Sequence, residues 1–262
     1  MDIQDLLAEL EKIEEIEAIA IGGSRAGLYS DASSDYDIYI YSSFLVPKEK
    51  RQNVLKKFCS TIELKNTYWE QEDNCILKNG IPVDLVYRNI NDFLLGIHRV
   101  VIEHQASNGY TTCLWHNLLH SKIVFDRNQR LLEGQRKYTM DYPEPLRRNI
   151  IQRNMALLSG SLPAYEDQIK KAVSRKDFNS IQHRTTEFLS SYFDVIFALN
   201  RKTHPGEKRL LSICQKECKI LPLDFEKNIM DLFQSIFHDE ERFLTSLEKI
   251  ICNIKRAVKE NL

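Results

Sequence analysis

The residues of this chain best suited to chemistry are three aspartates and a glycine turn. Ile21-Gly22-Gly23-Ser24-Arg25 is followed, ten residues after the serine, by Ser34-Asp35-Tyr36-Asp37-Ile38-Tyr39-Ile40. The order reads as strand, tight turn, short helix or loop, second strand. Gly22 and Gly23 permit close backbone approach and unusual φ values. Their N–H groups, beside the Ser24 hydroxyl, could form a nest for phosphate oxygens. Asp35 and Asp37 stand two apart on a strand and so share a face. Two carboxylates on one face repel unless a cation sits between them, and hard oxygen ligands next to phosphate suggest Mg²⁺. A third carboxylate, Asp84, lies amid apolar neighbours in the strand pattern Gly80-Ile81-Pro82-Val83-Asp84-Leu85-Val86-Tyr87. If that strand runs beside the first, three carboxylates surround one or two metal ions.

Gly-Gly-Ser, ten residues, Asp-x-Asp and a later lone strand aspartate resemble the nucleotidyltransferase superfamily typified by DNA polymerase beta. Within it, the chain looks like the small bacterial enzymes that adenylylate aminoglycoside or lincosamide antibiotics, and like their relatives. The resemblance covers roughly residues 16 to 90. It implies attack of an acceptor hydroxyl on the α-phosphorus of ATP with release of pyrophosphate, assisted by Mg²⁺. It also implies roles: Asp35 and Asp37 as metal ligands, Gly22, Gly23 and Ser24 as phosphate holders, and Asp84 as second-metal ligand, general base or both. Arg25 could reach the triphosphate, and Ser34 could orient Asp35. A shorter resemblance, over Phe197 to Arg209, places Lys208 at the triphosphate with Arg201 or Lys202 as helpers. A solvated basic turn is the plainer reading of that stretch.

The elements that must position these groups follow from periodicity. Residues 3 to about 14 form an amphipathic helix pattern, and Glu17 to Ile21 the first strand. Pro47 opens a helix to about Cys59. A strand is expected at Thr67 to Glu70. Asp73–Leu77 and Ile81–Tyr87 form a hairpin around Asn79-Gly80. Asn89 caps a helix to about Glu103, Thr111 to Leu119 is helical, and Lys122 to Phe125 is a short strand. Asp126 begins a helix to about Tyr138. Beyond Asp141-Tyr142-Pro143-Glu144-Pro145, no strand pattern remains. Helical periodicity covers 146–159, 162–174, 177–199, a stretch from 208, and 223–258. The expected fold class is α+β. Residues 1–140 form a nucleotidyltransferase domain with a small mixed sheet flanked by helices, and residues 141–262 form an all-α bundle. The active site is expected in the cleft between them.

On the helix 177–199, His183, Glu187, Ser190 and Asp194 recur at three- and four-residue steps. If that stripe faces a cleft, His183, Glu187 and Asp194 could bind a cationic acceptor, and Glu187 or Asp194 could rival Asp84 as the base. A solvent-facing stripe is the plainer alternative. The 262 residues are 43% hydrophobic and 28% charged, with a formal net charge of −1. That balance argues against a large nucleic-acid footprint, which needs a basic surplus. No apolar run approaches a membrane span, and no basic, apolar leader opens the chain. The six cysteines are scattered, as suits reduced thiols in the cytoplasm. Cys214 and Cys218 read as packing residues.

The expected activity is therefore Mg²⁺-dependent transfer of AMP from ATP to a hydroxyl of a small molecule, with antibiotics as one acceptor class. A protein-modifying, antitoxin-like adenylyltransferase and a non-catalytic nucleotide-binding protein are the alternatives.

Overall fold

The computed structural model describes residues 3–23 and 35–262. Ser24, Arg25 and Ser34 lie outside the described residues. The chain divides into two compact units. The first holds residues up to His98 together with Asn117–Met140; the second holds Arg99–His116 and Asp141–Leu262. The division is not a single cut near 140, because the segment 99–116 belongs with the second unit.

The first unit is a six-stranded mixed sheet with helices. Its order is α1 (Ile3–Leu10), β1 (Ala18–Ile21), β2 (Tyr36–Ser42), α2 (Lys48–Phe58), β3 (Cys59–Asn66), β4 (Gln71–Leu77), β5 (Pro82–Asn89), α3 (Ile90–Val101), α4 (Cys113–His120), β6 (Lys122–Asp126) and α5 (Arg130–Tyr138). Helices α3 and α4 each run across the division between units. The strand order is β3-β4-β5-β2-β1-β6. Only β2 and β5 run parallel; the other neighbours are antiparallel. The apolar side of α1 (Ile3, Leu6, Leu7, Leu10) joins Ile19, Ile38, Ile40, Val83 and Leu85 in one buried core.

On the α2 side of the sheet, Arg51 donates from Nη1 to both oxygens of Asp73 at 2.7 Å. Its guanidinium lies 4.6 Å from the Tyr87 ring centroid. Both charged groups are almost wholly buried. An isolated buried charge is costly, so the two need each other.

The expected strand at Thr67–Glu70 is corrected. Those residues form the bend between β3 and β4, and the strand lies upstream at Cys59–Asn66. Its apolar members, Ile62 and Leu64, are only half buried and alternate with exposed Glu63 and Lys65. An edge strand with one wet face has this weak alternation.

The second unit contains α6 (Glu144–Leu158), α7 (Tyr165–Ser174), α8 (Phe178–Leu199), α9 (Leu210–Glu217), α10 (Phe225–Ser235) and α11 (Glu240–Asn261). Pro145 sits in the first turn of α6, where its missing N–H costs nothing. Asp177 caps α8 by accepting from Ser180 N at 3.0 Å, and Asp239 caps α11 by accepting from Arg242 N at 3.0 Å. That second cap splits the stretch 223–258, expected as continuous, into two helices. Helix α8 is the axis of this unit: α6 and α7 pack on it, and residues 188–199 are all buried.

Candidate active site

The parallel pairing of β2 with β5 gathers the acidic residues. Asp37 stands directly opposite Asp84, so the two side chains share a face of the sheet. Asp35, at the mouth of β2, completes the group. Each of the three half-buried carboxylates offers an oxygen, and these atoms all lie within 4.8 Å of one another. Among the described residues this is the only group of three or more histidines, cysteines, aspartates or glutamates so arranged. Three hard, anionic oxygen donors suit a divalent cation of the Mg²⁺ class and suit soft metals poorly.

The glycine turn is built against the same face. Gly22 N donates to the Asp37 carbonyl at 2.8 Å, which carries the ladder one residue past β1. A Cβ on Gly22 would come 2.1 Å from Cε2 of Tyr39, and one on Gly23 1.7 Å from Oδ2 of Asp37. Gly23 also has a φ of +61°, a conformation that L side chains seldom adopt. Both glycines are therefore required by close approach to the aspartate strand. Behind them, the Arg88 guanidinium lies 4.3 Å from the Tyr39 ring centroid. It is held by both oxygens of Glu70 at 2.6 and 2.7 Å and by Asn117 Oδ1 at 2.9 Å.

Asp84 has a neighbour that the sequence reading missed. On β4, Asn74 stands opposite Asp84, and its Nδ2 donates to Asp84 Oδ1 at 2.8 Å. The same Nδ2 reaches Glu72 Oε2 at 3.3 Å, while Asn66 Nδ2 donates to Asn74 Oδ1 at 3.0 Å. The Asn79-Gly80 turn announced the hairpin but not this pairing, because the loop length fixes which residues face each other and only the observed one sets Asn74 opposite Asp84.

The remaining expected site residues lie in the second unit. Lys208 is exposed, two residues before α9. Lys202 is exposed too. Arg201 is engaged, with Nη2 at 3.0 Å from Glu144 Oε2. On α8, His183 is exposed and Glu187 half buried, the latter beside the Tyr165 hydroxyl.

Asp194 is a correction. It is 1% exposed, so it belongs neither to a solvent-facing stripe nor to an open acceptor surface. Its oxygens accept from Thr111 N at 3.1 Å, Thr111 Oγ1 at 2.6 Å and Asn154 Nδ2 at 3.2 Å. Asn154 Oδ1 in turn accepts from Gly109 N at 3.0 Å. Burial pushes the Asp194 carboxyl up to about 7, against the pull of these donors. Nearby, His204 is wholly buried between Tyr110 and Phe197, each ring 4.8 Å away by centroid. Burial drives its pKa down to about 3, so the imidazole is neutral. Its Nδ1 lies 3.5 Å from Cys113 Sγ, and burial raises that thiol to about 12. A neutral imidazole beside a neutral thiol is a packing pair, not an activated nucleophile. Cys214 and Cys218 are buried free thiols.

Comparison with known proteins adds five findings. A model for a domain of unknown function, DUF4037, matches residues 111–210. No curated protein matches the chain by sequence. Among solved structures, the chain is similar to a nucleotidyltransferase-like protein from Exiguobacterium sibiricum 255-15 (11% identity, TM-score 0.43, 98% of this chain and 73% of that one). It is also similar to an aminoglycoside 6-adenyltransferase from Bacillus subtilis (9%, 0.30, 98% and 90%) and to a Thermotoga maritima CCA-adding enzyme in complex with tRNA (9%, 0.28, 99% and 83%). At these identities and TM-scores the likenesses assign no function, and the functional reading rests on the residues of the site.

Proposed function

We propose that the chain is a Mg²⁺-dependent nucleotidyltransferase of the polymerase-beta-like superfamily that moves AMP from ATP to a hydroxyl group of a small molecule. The observation that carries this reading is the three-carboxylate group on β2 and β5 beside a turn that admits only glycine. Asp35, Asp37 and Asp84 would hold the metal. Once bound, Mg²⁺ supplies charge neutralisation for the triphosphate and polarises the α-phosphoryl group.

The chain's own residues do the rest. The Gly22–Gly23 backbone is pressed onto the aspartate strand, where a Cβ at either position would collide with Tyr39 or Asp37. With the Gly22 N–H spent on the Asp37 carbonyl, Gly23 would be the phosphate holder of the turn, beside the metal ligands. Asp84 takes the proton of the acceptor hydroxyl as its oxygen bonds to the α-phosphorus. The bond from the α-phosphorus to the bridging oxygen breaks, and pyrophosphate leaves with that electron pair. With the Asp194 carboxylate buried and saturated with donors, Asp84 is the better placed base. Small hydroxylated antibiotics are one acceptor class within this reading. The near-zero net charge favours a small acceptor over a polynucleotide.

The test is incubation of the purified chain with ATP labelled on the α-phosphate, Mg²⁺ and a panel of hydroxylated antibiotics and metabolites, with Asp37→Asn alongside. Label on an acceptor and matching pyrophosphate release, both lost in the variant, are expected. Equal release by the wild type and Asp37→Asn would remove the triad from the reaction.

A further inference from the structure

We infer that Asn74 is a positioning residue for Asp84: a directional chain of neutral amides, starting at the β3–β4 bend, fixes the rotation of the Asp84 carboxylate. The inference rests on the reading of the triad as a divalent-cation site.

Tyr68 N donates to Asn66 Oδ1 at 3.3 Å, Asn66 Nδ2 to Asn74 Oδ1 at 3.0 Å, and Asn74 Nδ2 to Asp84 Oδ1 at 2.8 Å. Every donor in this series points towards Asp84. Donors in series polarise one another. The orientation of the Asn74 amide is not arbitrary. Flipped, it would set its oxygen against the carboxylates of Asp84 and Glu72 and its nitrogen against that of Asn66.

The bond matters because the terminal torsion of an aspartate is soft. A carboxylate with neither oxygen tied can rotate at little cost. Tying Oδ1 to Asn74 sets the plane in which the other oxygen is presented. The donor is also suited to a metal site by what it lacks. A lysine or arginine there would cancel charge that the cation needs, whereas an amide orients the ligand and leaves its charge intact.

The strand bearing Asn74 is pinned from its other face. The neighbouring Asp73 is clamped by Arg51 and accepts from Lys65 N at 2.9 Å. Asn74 therefore has little freedom to follow a wandering Asp84.

Mn²⁺ serves as the probe, its affinity read by calorimetry on the full chain without nucleotide. The wild type is compared with Asp84→Asn, Asn74→Leu and Asn66→Leu, each also followed by metal-free thermal unfolding. Asn74→Leu keeps the side-chain shape and removes the donor. It should bind Mn²⁺ about 10- to 100-fold more weakly, with a metal-free unfolding midpoint close to wild type. Asn66→Leu, which frees only the outer amide, should show a smaller loss in the same direction. Wild-type Mn²⁺ affinity in Asn74→Leu, with affinity lost in Asp84→Asn, overturns the positioning role alone. A lowered metal-free midpoint with affinity kept overturns it too and makes the amide structural. If Asn74→Leu does not fold, unchanged affinity in Asn66→Leu overturns it. If Asp84→Asn itself binds Mn²⁺ as the wild type does, the metal reading and this inference fall together.

Discussion

Asp84 and Asp194 are both aspartates set among amides, one in each unit, and their surroundings differ in kind. Asp84 is half buried, takes its hydrogen bond from one neutral amide and shares its space with two other carboxylates. Asp194 is buried alone and accepts from Thr111 and Asn154 at both oxygens. The first arrangement concentrates negative charge at the start of the parallel pair β2 and β5; the second isolates a carboxylate and uses it to hold the segment 107–112 against α6 and α8. Spacing along the chain did not separate them, since an aspartate at a helical three- or four-residue step is compatible with solvent, cleft or core. The neighbours in space make the difference.

That contrast can be broken by exchanging what each residue loses on mutation. Asp84→Asn should lower the rate of nucleotidyl transfer by about 10²–10⁴-fold while the unfolding midpoint stays close to wild type, measured by label transfer and calorimetry on the same preparation. Asp194→Ala should do the reverse. It strands buried donors on Thr111 and Asn154, so denaturant titration should show a loss of about 2–4 kcal/mol. Wild-type stability in that variant would remove Asp194 from the fold's framework.

A smaller effect sharpens the Asp84 side. Gly23→Ala introduces a Cβ into Asp37 and a strained φ, a penalty of about 1–3 kcal/mol. The strain should appear as about a 5- to 150-fold fall in transfer, with Gly80→Ala, where a Cβ meets nothing within 4 Å, as the control for positive φ alone.

A last effect is in pH. Because the folded Asp194 carboxyl titrates near 7, above its ordinary 3.8, the native chain holds a proton there that the unfolded chain has released. This contribution to stability is fully present below about pH 4 and falls as pH rises to about 7. Asp194→Asn should flatten the part of the stability curve between about pH 4 and 7 that this residue causes. An unaltered slope would show that Asp194 ionises freely in the fold.

The sequence carried the triad because Asp37 and Asp84 sit in, and Asp35 directly before, strands whose apolar alternation is plain, and the glycines mark their own turn. It carried most helices for the same reason of periodicity. Asn74 was hidden by one residue of loop. A two-residue Asn79-Gly80 turn would set Cys75 opposite Asp84; the observed loop spans Lys78 to Gly80, closed by Leu77 N donating to Ile81 O at 2.9 Å, and sets Asn74 there instead. Gly80 at φ +89° makes the extra residue possible. A shift of one residue turns a strand's faces over, so the partner of Asp84 was legible only once the loop length was known. The edge strand β3 was missed because half-buried Ile62 and Leu64 leave a faint pattern. Asp194 was misread because polar spacing on a helix does not report what packs over it.

The lone parallel pairing in the sheet also bears on how the molecule comes together. Asp37 and Asp84 meet only after the chain has left β2, passed through α2, β3 and β4, and returned as β5. The β3–β4–β5 meander can zip up from its local turns, but the β2–β5 register needs a long crossover to close first, the slow kind of step in folding. A nascent or partly melted chain can thus hold a formed hairpin with Asn74 already bonded to Asp84 and still lack the proposed metal site, because Asp37 has not arrived. Metal affinity in refolding should lag behind protection of the β4–β5 amides from hydrogen exchange.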